Sequence, residues 1–163
     1  DTGPIFSTKR FALDADITSD ELFIELAALG VESVEESLQD IAQGKRPIGQ
    51  PKEGATRALK ITKKECEIDW SQDAETISQK IRAFTSVPGA WTRFRADTVK
   101  LDSVAITELS FPPGSIQVID KMLVVGTGSQ AISIGYLTPS GKSRMDANSW
   151  LNGARIAEGD HFG

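Results

Sequence analysis

The stretch from Ile68 to Trp91 constrains the fold of this chain more than any other. It reads Ile68-Asp69-Trp70-Ser71, then an amphipathic run, then Ile81-Arg82-Ala83-Phe84 and Pro88-Gly89-Ala90-Trp91. Ser71 suits an N-cap, because its hydroxyl oxygen can accept a free N–H of the first helical turn. Behind it Ala74, Ile77, Ile81 and Phe84 recur at steps of three and four, which makes one helical face apolar. Pro88-Gly89 stops the helix and forces a turn. The expectation is a short helix with an aromatic at each end, plugging the end of a β structure that follows.

Beyond Trp91 the pattern becomes that of strands. Candidates are Ala90–Arg95, Val99–Leu109, Ser115–Val118, Met122–Val125 and Ala131–Leu137, with Gly-, Pro- and Asp-containing turns between them. Short strands at such spacing predict a small β-barrel, the OB-like five-stranded type being the natural candidate and a small sandwich the alternative. Asp146 can cap a last helical turn through Trp150 and Leu151, with Gly153 as its stop. Residues 156–163 carry almost nothing apolar and read as a frayed tail. His161, the single histidine, falls in that tail, where a tag-like origin suits it better than chemistry.

The amino-terminal residues read differently. Ile5 to Leu13 is rich in β-formers and predicts a strand. Thr18-Ser19-Asp20-Glu21 is a capping box opening a helix that Gly30 interrupts and Gly44 ends. A strand and one or two helices over residues 1–44 are too few for an independent core, so the segment reads as the end of a larger domain. Residues 45–64, with Pro47, Gly49, Pro51 and Gly54, have the composition of a linker. The expected division is 1–44, a linker over 45–64, a barrel over 65–155 and the tail.

Charge is distributed unevenly. The chain has a formal net charge of −5, yet residues 45–64 contain Lys45, Arg46, Lys52, Arg57, Lys60, Lys63 and Lys64 against Glu53 alone. Residues 1–44, by contrast, set ten acidic residues against Lys9 and Arg10. A concentrated basic segment in an acidic protein suits a polyanionic partner, although lysines that merely solvate a linker would look the same. Arg82, Arg93, Arg95, Lys100, Lys121, Lys142 and Arg144 add further cations on or near the helix, strands and turns. With 7% aromatic residues, contacts to the backbone and shape of a folded RNA are expected more than base stacking. Trp70, Trp91 and Trp150 read as core.

Other chemistries find little support. One cysteine, Cys66, excludes an internal disulfide and a cysteine-based zinc site. Asp14-x-Asp16 lacks further ligands for a metal. Gly126-x-Gly128 lacks a third glycine and a following helix, so it reads as a turn. No apolar run approaches the ~20 residues of a membrane span.

The wording of several segments is also familiar. Ile68-Asp69-Trp70, Ile81-Arg82-Ala83-Phe84, Pro88-Gly89-Ala90-Trp91, Gly141-Lys142-Ser143-Arg144-Met145 and Ser149-Trp150-Leu151-Asn152-Gly153, in this order, resemble the C-terminal domain of methionyl-tRNA formyltransferases. Asp1-Thr2-Gly3 with the capped helix resembles the close of that family's Rossmann-like α/β catalytic domain. The resemblance implies a cytoplasmic, bacterial-type enzyme that moves a formyl group from 10-formyltetrahydrofolate to initiator methionyl-tRNA, with no metal, DNA or membrane involved and a monomeric state. It implies Asp1 as a catalytic carboxylate beside the family's histidine and asparagine, neither of which is present here, and Gly3 as a point of close folate approach. It implies a tRNA-binding set of Lys45, Arg46, Lys52, Arg57, Lys60, Lys63, Lys64, Arg82, Arg93, Arg95, Lys142 and Arg144. The fragment alone is expected to be inactive. A non-enzymatic RNA-binding barrel, or a formyltransferase of a nucleotide sugar or small amine, remains open as an alternative.

Overall fold

The computed structural model describes residues 2–163, which form two compact units divided between Lys60 and Ile61. The first unit is built on helix α1 (Ser19–Ala42). Its capping box is the one read from sequence: Thr18 accepts from the Glu21 N–H, and the Glu21 carboxylate accepts from the Thr18 N–H. The helix runs straight through Gly30, where a break was expected. A glycine costs only about 1 kcal/mol against alanine in a helix interior, which a long helix absorbs. No residue of α1 is buried; Phe23, Ile24, Val31, Val34 and Leu38 lie open. The strand expected over Ile5–Leu13 is reduced to one bridge, Ile5 with Ile48. Without a neighbouring strand, its β-formers have no ladder to join.

The second unit has a 3-10 turn over Lys64–Cys66 and continues into α2 (Ala74–Phe84). The cap of α2 is Asp73, which accepts from the Thr76 N–H at 2.8 Å. Ser71, expected there, donates its hydroxyl to Asp69 instead. The apolar stripe is as read: Ala74, Ile77 and Ile81 are buried, and Phe84 packs beside them.

Six strands follow: β1 (Trp91–Phe94), β2 (Asp97–Ile106), β3 (Ile116–Ile119), β4 (Met122–Val125), β5 (Ile132–Pro139) and β6 (Met145–Asp146). They form one antiparallel sheet in the order β1-β2-β5-β4-β3, with β6 on β5. The five predicted strands are present, and β6 is the addition. Helix α3 (Ala147–Ala154) is capped by Asp146 as expected, but it passes Gly153 and ends at Arg155, in the left-handed region at φ 48°.

The curl of the sheet has a local cause. In the β2–β5 ladder Asp102 pairs with Tyr136 and Val104 with Ile134, so Ser103 and Gly135 are skipped together. Ser103 takes φ 54°. The inward phase then slips by one residue, from Val99 and Leu101 to Val104 on β2, and from Ile132 and Ile134 to Leu137 on β5. A Cβ on Gly135 would stand 2.8 Å from the Ser103 carbonyl oxygen.

Residues 156–163 correct the sequence reading most. They are not frayed. The Phe162 N–H donates to Gly114 at 2.8 Å and the Gly163 N–H donates to Arg93 at 3.0 Å. The segment thereby bridges β1 and the residues leading into β3, with Phe162 opposite Phe94 and His161 opposite Ser115. Phe162 is 2% exposed, within an aromatic cluster of Trp70, Phe94 and Trp150. One large ring can be anchored by distant partners that no local periodicity announces.

Candidate nucleic-acid interface

The expected basic residues divide between the two units. In the first, Lys45 is paired with Asp40 at 2.6 Å, while Arg46, Lys52, Arg57 and Lys60 are exposed. Arg57 is among the walls of a pocket of about 1010 Å³, with Thr2, Gln50, Pro51 and others of residues 53–59. Gly3 is exposed, with its carbonyl accepting from Gln50 at 2.6 Å; nothing stands within 4 Å of a Cβ built there. Asp1 lies outside the described residues.

In the second unit, Lys63 sits 5.6 Å from the centre of the Trp91 ring, whose indole N–H donates to the Lys63 carbonyl at 2.7 Å. Lys64 is exposed. Arg82 is committed to its own helix, donating to Ser78 at 2.7 Å and standing 3.7 Å from Glu75. Arg95 is committed to the C-terminal segment: it donates to both oxygens of Asp160, at 3.1 and 2.6 Å, and to the carbonyls of Ala154 and Arg155. The Asp160 carboxyl is held below its ordinary range by the hydrogen bond from Arg95. Arg95, Lys142, Phe94, Met145, Ser149 and Trp150 are among the walls of a pocket of about 530 Å³.

The outer face of β1, β2 and β5 brings others together. Antiparallel partners share a face, so Arg93 with Thr98, and Trp91 with Lys100, lie on one side; Thr138 faces Lys100 from β5. Asp102 and Tyr136 extend the same side. Arg144 reaches across to them, donating to the two Asp102 oxygens at 2.9 and 2.8 Å, with its guanidinium 3.7 Å from the centre of the Tyr136 ring. Tyr136 was not among the residues singled out from sequence, and Lys100 was noted only as one of the cations near the first strands. The alternation of β2 and the register of β1 carry the signal for Lys100.

Cys66 is fully buried, with burial pushing its thiol up, as suits a core residue. Among the described residues no three His, Cys, Asp or Glu side chains converge on a possible metal position, and no helix is long and apolar enough to cross a membrane.

The curled antiparallel sheet plugged by helices is similar to a formyltransferase C-terminal region. Residues 60–155 match the family described as formyl transferase, C-terminal domain, and the chain belongs to that family. Relatives extend the likeness along the whole chain. The methionyl-tRNA formyltransferase of Thermobifida fusca (strain YX) is 34% identical over 166 residues, covering 100% of this chain and 54% of its own. That of Mycobacterium sp. (strain KMS) is 37% identical over 159 residues, covering 96% and 51%. The chain thus spans about half the length of these relatives. Crystal structures of HypX from Aquifex aeolicus share the fold. One variant has a TM-score of 0.79 at 22% identity over 94% of this chain and 28% of its own. A HypX complex with tetrahydrofolic acid gives 0.76 at 22% identity, over 92% and 27%.

Proposed function

We propose that this chain is the carboxyl-terminal half of a methionyl-tRNA formyltransferase and that its task is to hold the tRNA. The observation carrying this reading is that relatives bearing that name align from one end of the chain to the other. The whole enzyme, cytoplasmic and monomeric, moves a formyl group from 10-formyltetrahydrofolate to the amino group of initiator methionyl-tRNA. In this reading residues 1–44 close a Rossmann-like catalytic domain, residues 45–64 are a basic linker and residues 65–155 an OB-like barrel.

The donor supplies an activated formyl carbon, and this chain contributes two groups toward it. Asp1 holds the catalytic imidazole charged, because a neighbouring carboxylate favours the protonated ring. Gly3 leaves its backbone open to the folate, which the free space around it supports. The remaining residues bind and orient. In this reading Lys45, Arg46, Lys52, Arg57, Lys60, Lys63 and Lys64, together with Arg82, Arg93, Arg95, Lys142 and Arg144, bind the tRNA. Contacts remote from the amine supply the binding energy that positions it for attack.

The linker lysines offer the test. Changing Lys60, Lys63 and Lys64 to Gln should weaken initiator tRNA binding and lower the slope of log K against log salt by roughly 2–3, since each phosphate contact contributes about 0.7–0.9. An unchanged affinity and slope would mean that these lysines only solvate the chain. A nucleotide-sugar or amine formyltransferase would show that result together with turnover of a small acceptor.

A further inference from the structure

The Arg144–Tyr136 pair is built more elaborately than a phosphate contact needs. A guanidinium grips phosphate best through a free fork of donors. Arg144 lacks that fork: Nε and Nη2 are taken by the two Asp102 oxygens and the guanidinium lies over the Tyr136 ring. The hydrogen bonds from Arg144 to Asp102 fix the plane's orientation, and the strand pairing of Asp102 with Tyr136 fixes the ring beneath it. The arginine side chain nevertheless remains 54% exposed. What is displayed is a flat, preoriented guanidinium surface resting on an aromatic ring, its charge balanced by Asp102.

Its surroundings favour an anion-bearing partner. Lys100 stands two residues from Asp102 on the same face, roughly 7 Å along the strand. Arg93 follows on β1, across from Thr98. Neither Arg93 nor Lys100 has a carboxylate partner among the described residues, while the Asp102 carboxylate on this face is already neutralised by Arg144.

We infer that the Arg144 guanidinium, backed by Tyr136, is a stacking platform for an unpaired base of an RNA whose backbone runs along Arg93 and Lys100. The inference rests on the RNA-binding reading above and adds to it a base contact, where only phosphate and shape contacts were expected from composition. Stacking on a guanidinium plane needs no particular base edge, so the platform tolerates sequence.

The test uses the full 163-residue chain, a labelled single-stranded RNA hexamer of mixed sequence, and the same hexamer with abasic positions. Arg144→Lys keeps the charge and removes the plane; Tyr136→Leu removes the backing ring. The wild type should bind the base-bearing RNA more tightly than the abasic one. Both variants should lose roughly tenfold on the base-bearing RNA and little on the abasic, as is typical for loss of one stacked base. A 2-aminopurine placed in the hexamer should be quenched by the wild type and not by Arg144→Lys, with circular dichroism confirming that both proteins are folded. Equal losses on both RNAs would make Arg144 a phosphate contact and overturn the platform. Unchanged affinities and quenching in both variants would leave the pair a structural clasp, again overturning it while the RNA reading stands. A wild type that binds neither this RNA nor tRNA would overturn both.

Discussion

The Phe162 ring lies stacked on the Trp70 indole, 5.7 Å between centroids and 16° between planes. Trp70 also donates its N–H to Thr92 at 2.9 Å, so one tryptophan joins the segment before α2, strand β1 and the carboxyl-terminal segment. Phe162→Ala should therefore destabilise the second unit by about 3–5 kcal/mol, the usual cost of removing a large buried ring. Urea denaturation followed by tryptophan fluorescence measures it. A loss below ~0.5 kcal/mol, typical of surface changes, would return residues 156–163 to the status of a loose tail.

The skipped pair Ser103 and Gly135 makes a second, local prediction. A methyl group at Gly135 meets a backbone oxygen at 2.8 Å, so the strands must separate or the bend must open. Gly135→Ala should cost about 1–3 kcal/mol by overpacking. Gly128→Ala should cost more, because its methyl would meet the Ser71 carbonyl oxygen at 2.1 Å, where the Gly128 N–H already donates to Gln72. Thermal melts of the two variants rank them, and a Gly128 variant that melts at the wild-type temperature would contradict the close approach.

Acid should loosen the same unit. The carboxyls of Asp73 and Asp146 are held below their ordinary range by hydrogen bonds from Thr76 and Ser149, and that of Asp160 by the bond from Arg95. A carboxyl whose folded-state pKa is depressed adds stability above its unfolded value, near ~3.9 for Asp. That contribution is lost as pH falls through the folded-state value. Stability should thus be flat from about pH 7 to 5 and decline below roughly pH 4. Asp160→Asn should flatten the decline, and an identical acid profile in this variant would detach the Arg95 pair from it.

The two units should also behave differently when separated. Residues 61–163 should fold alone with a cooperative melt, whereas residues 1–60, whose helix buries no side chain, should show only marginal helicity, as isolated helices do. Ending the second unit at residue 155 should abolish cooperative folding. Circular dichroism of the three pieces decides, and a cooperatively melting 61–155 would remove the need for the closing segment.

Where structure was legible in the sequence, it was written within a few residues. The Thr18–Glu21 box, the Asp146 cap, the apolar stripe of α2 and the limits of β4 all follow from neighbours along the chain. Ser71 misled because Asp69 competes for its hydroxyl and Asp73 supplies a better acceptor two positions on. The slip of phase at Ser103 and Gly135 hid which residues of β2 and β5 face outward, and with them Tyr136 as the partner of Arg144. Phe162 had no local pattern at all, its four aromatic and strand partners lying far back in the sequence. Of the interface, charge told which residues are cationic, but only the register told which strand cations stand together, and only the folded chain pairs Arg82, Lys45 and Arg95 with Glu75, Asp40 and Asp160.

The bridge formed by residues 161–163 has a consequence for how the protein is made. A nascent chain emerges amino-terminus first, at about 5–20 residues per second. Every strand of the sheet therefore leaves the ribosome before the segment that bridges β1 and the residues leading into β3. Until that segment arrives, Arg93 and Phe94 on β1 and Gly114 and Ser115 just ahead of β3 present unpaired backbone groups to whatever else is in the cell, the usual route to edge-to-edge association. The interval is brief in ordinary synthesis. Stalling ahead of Phe162 would prolong it, and the stalled chain would be a preferred client for chaperones even though its helices and all six strands had already been made.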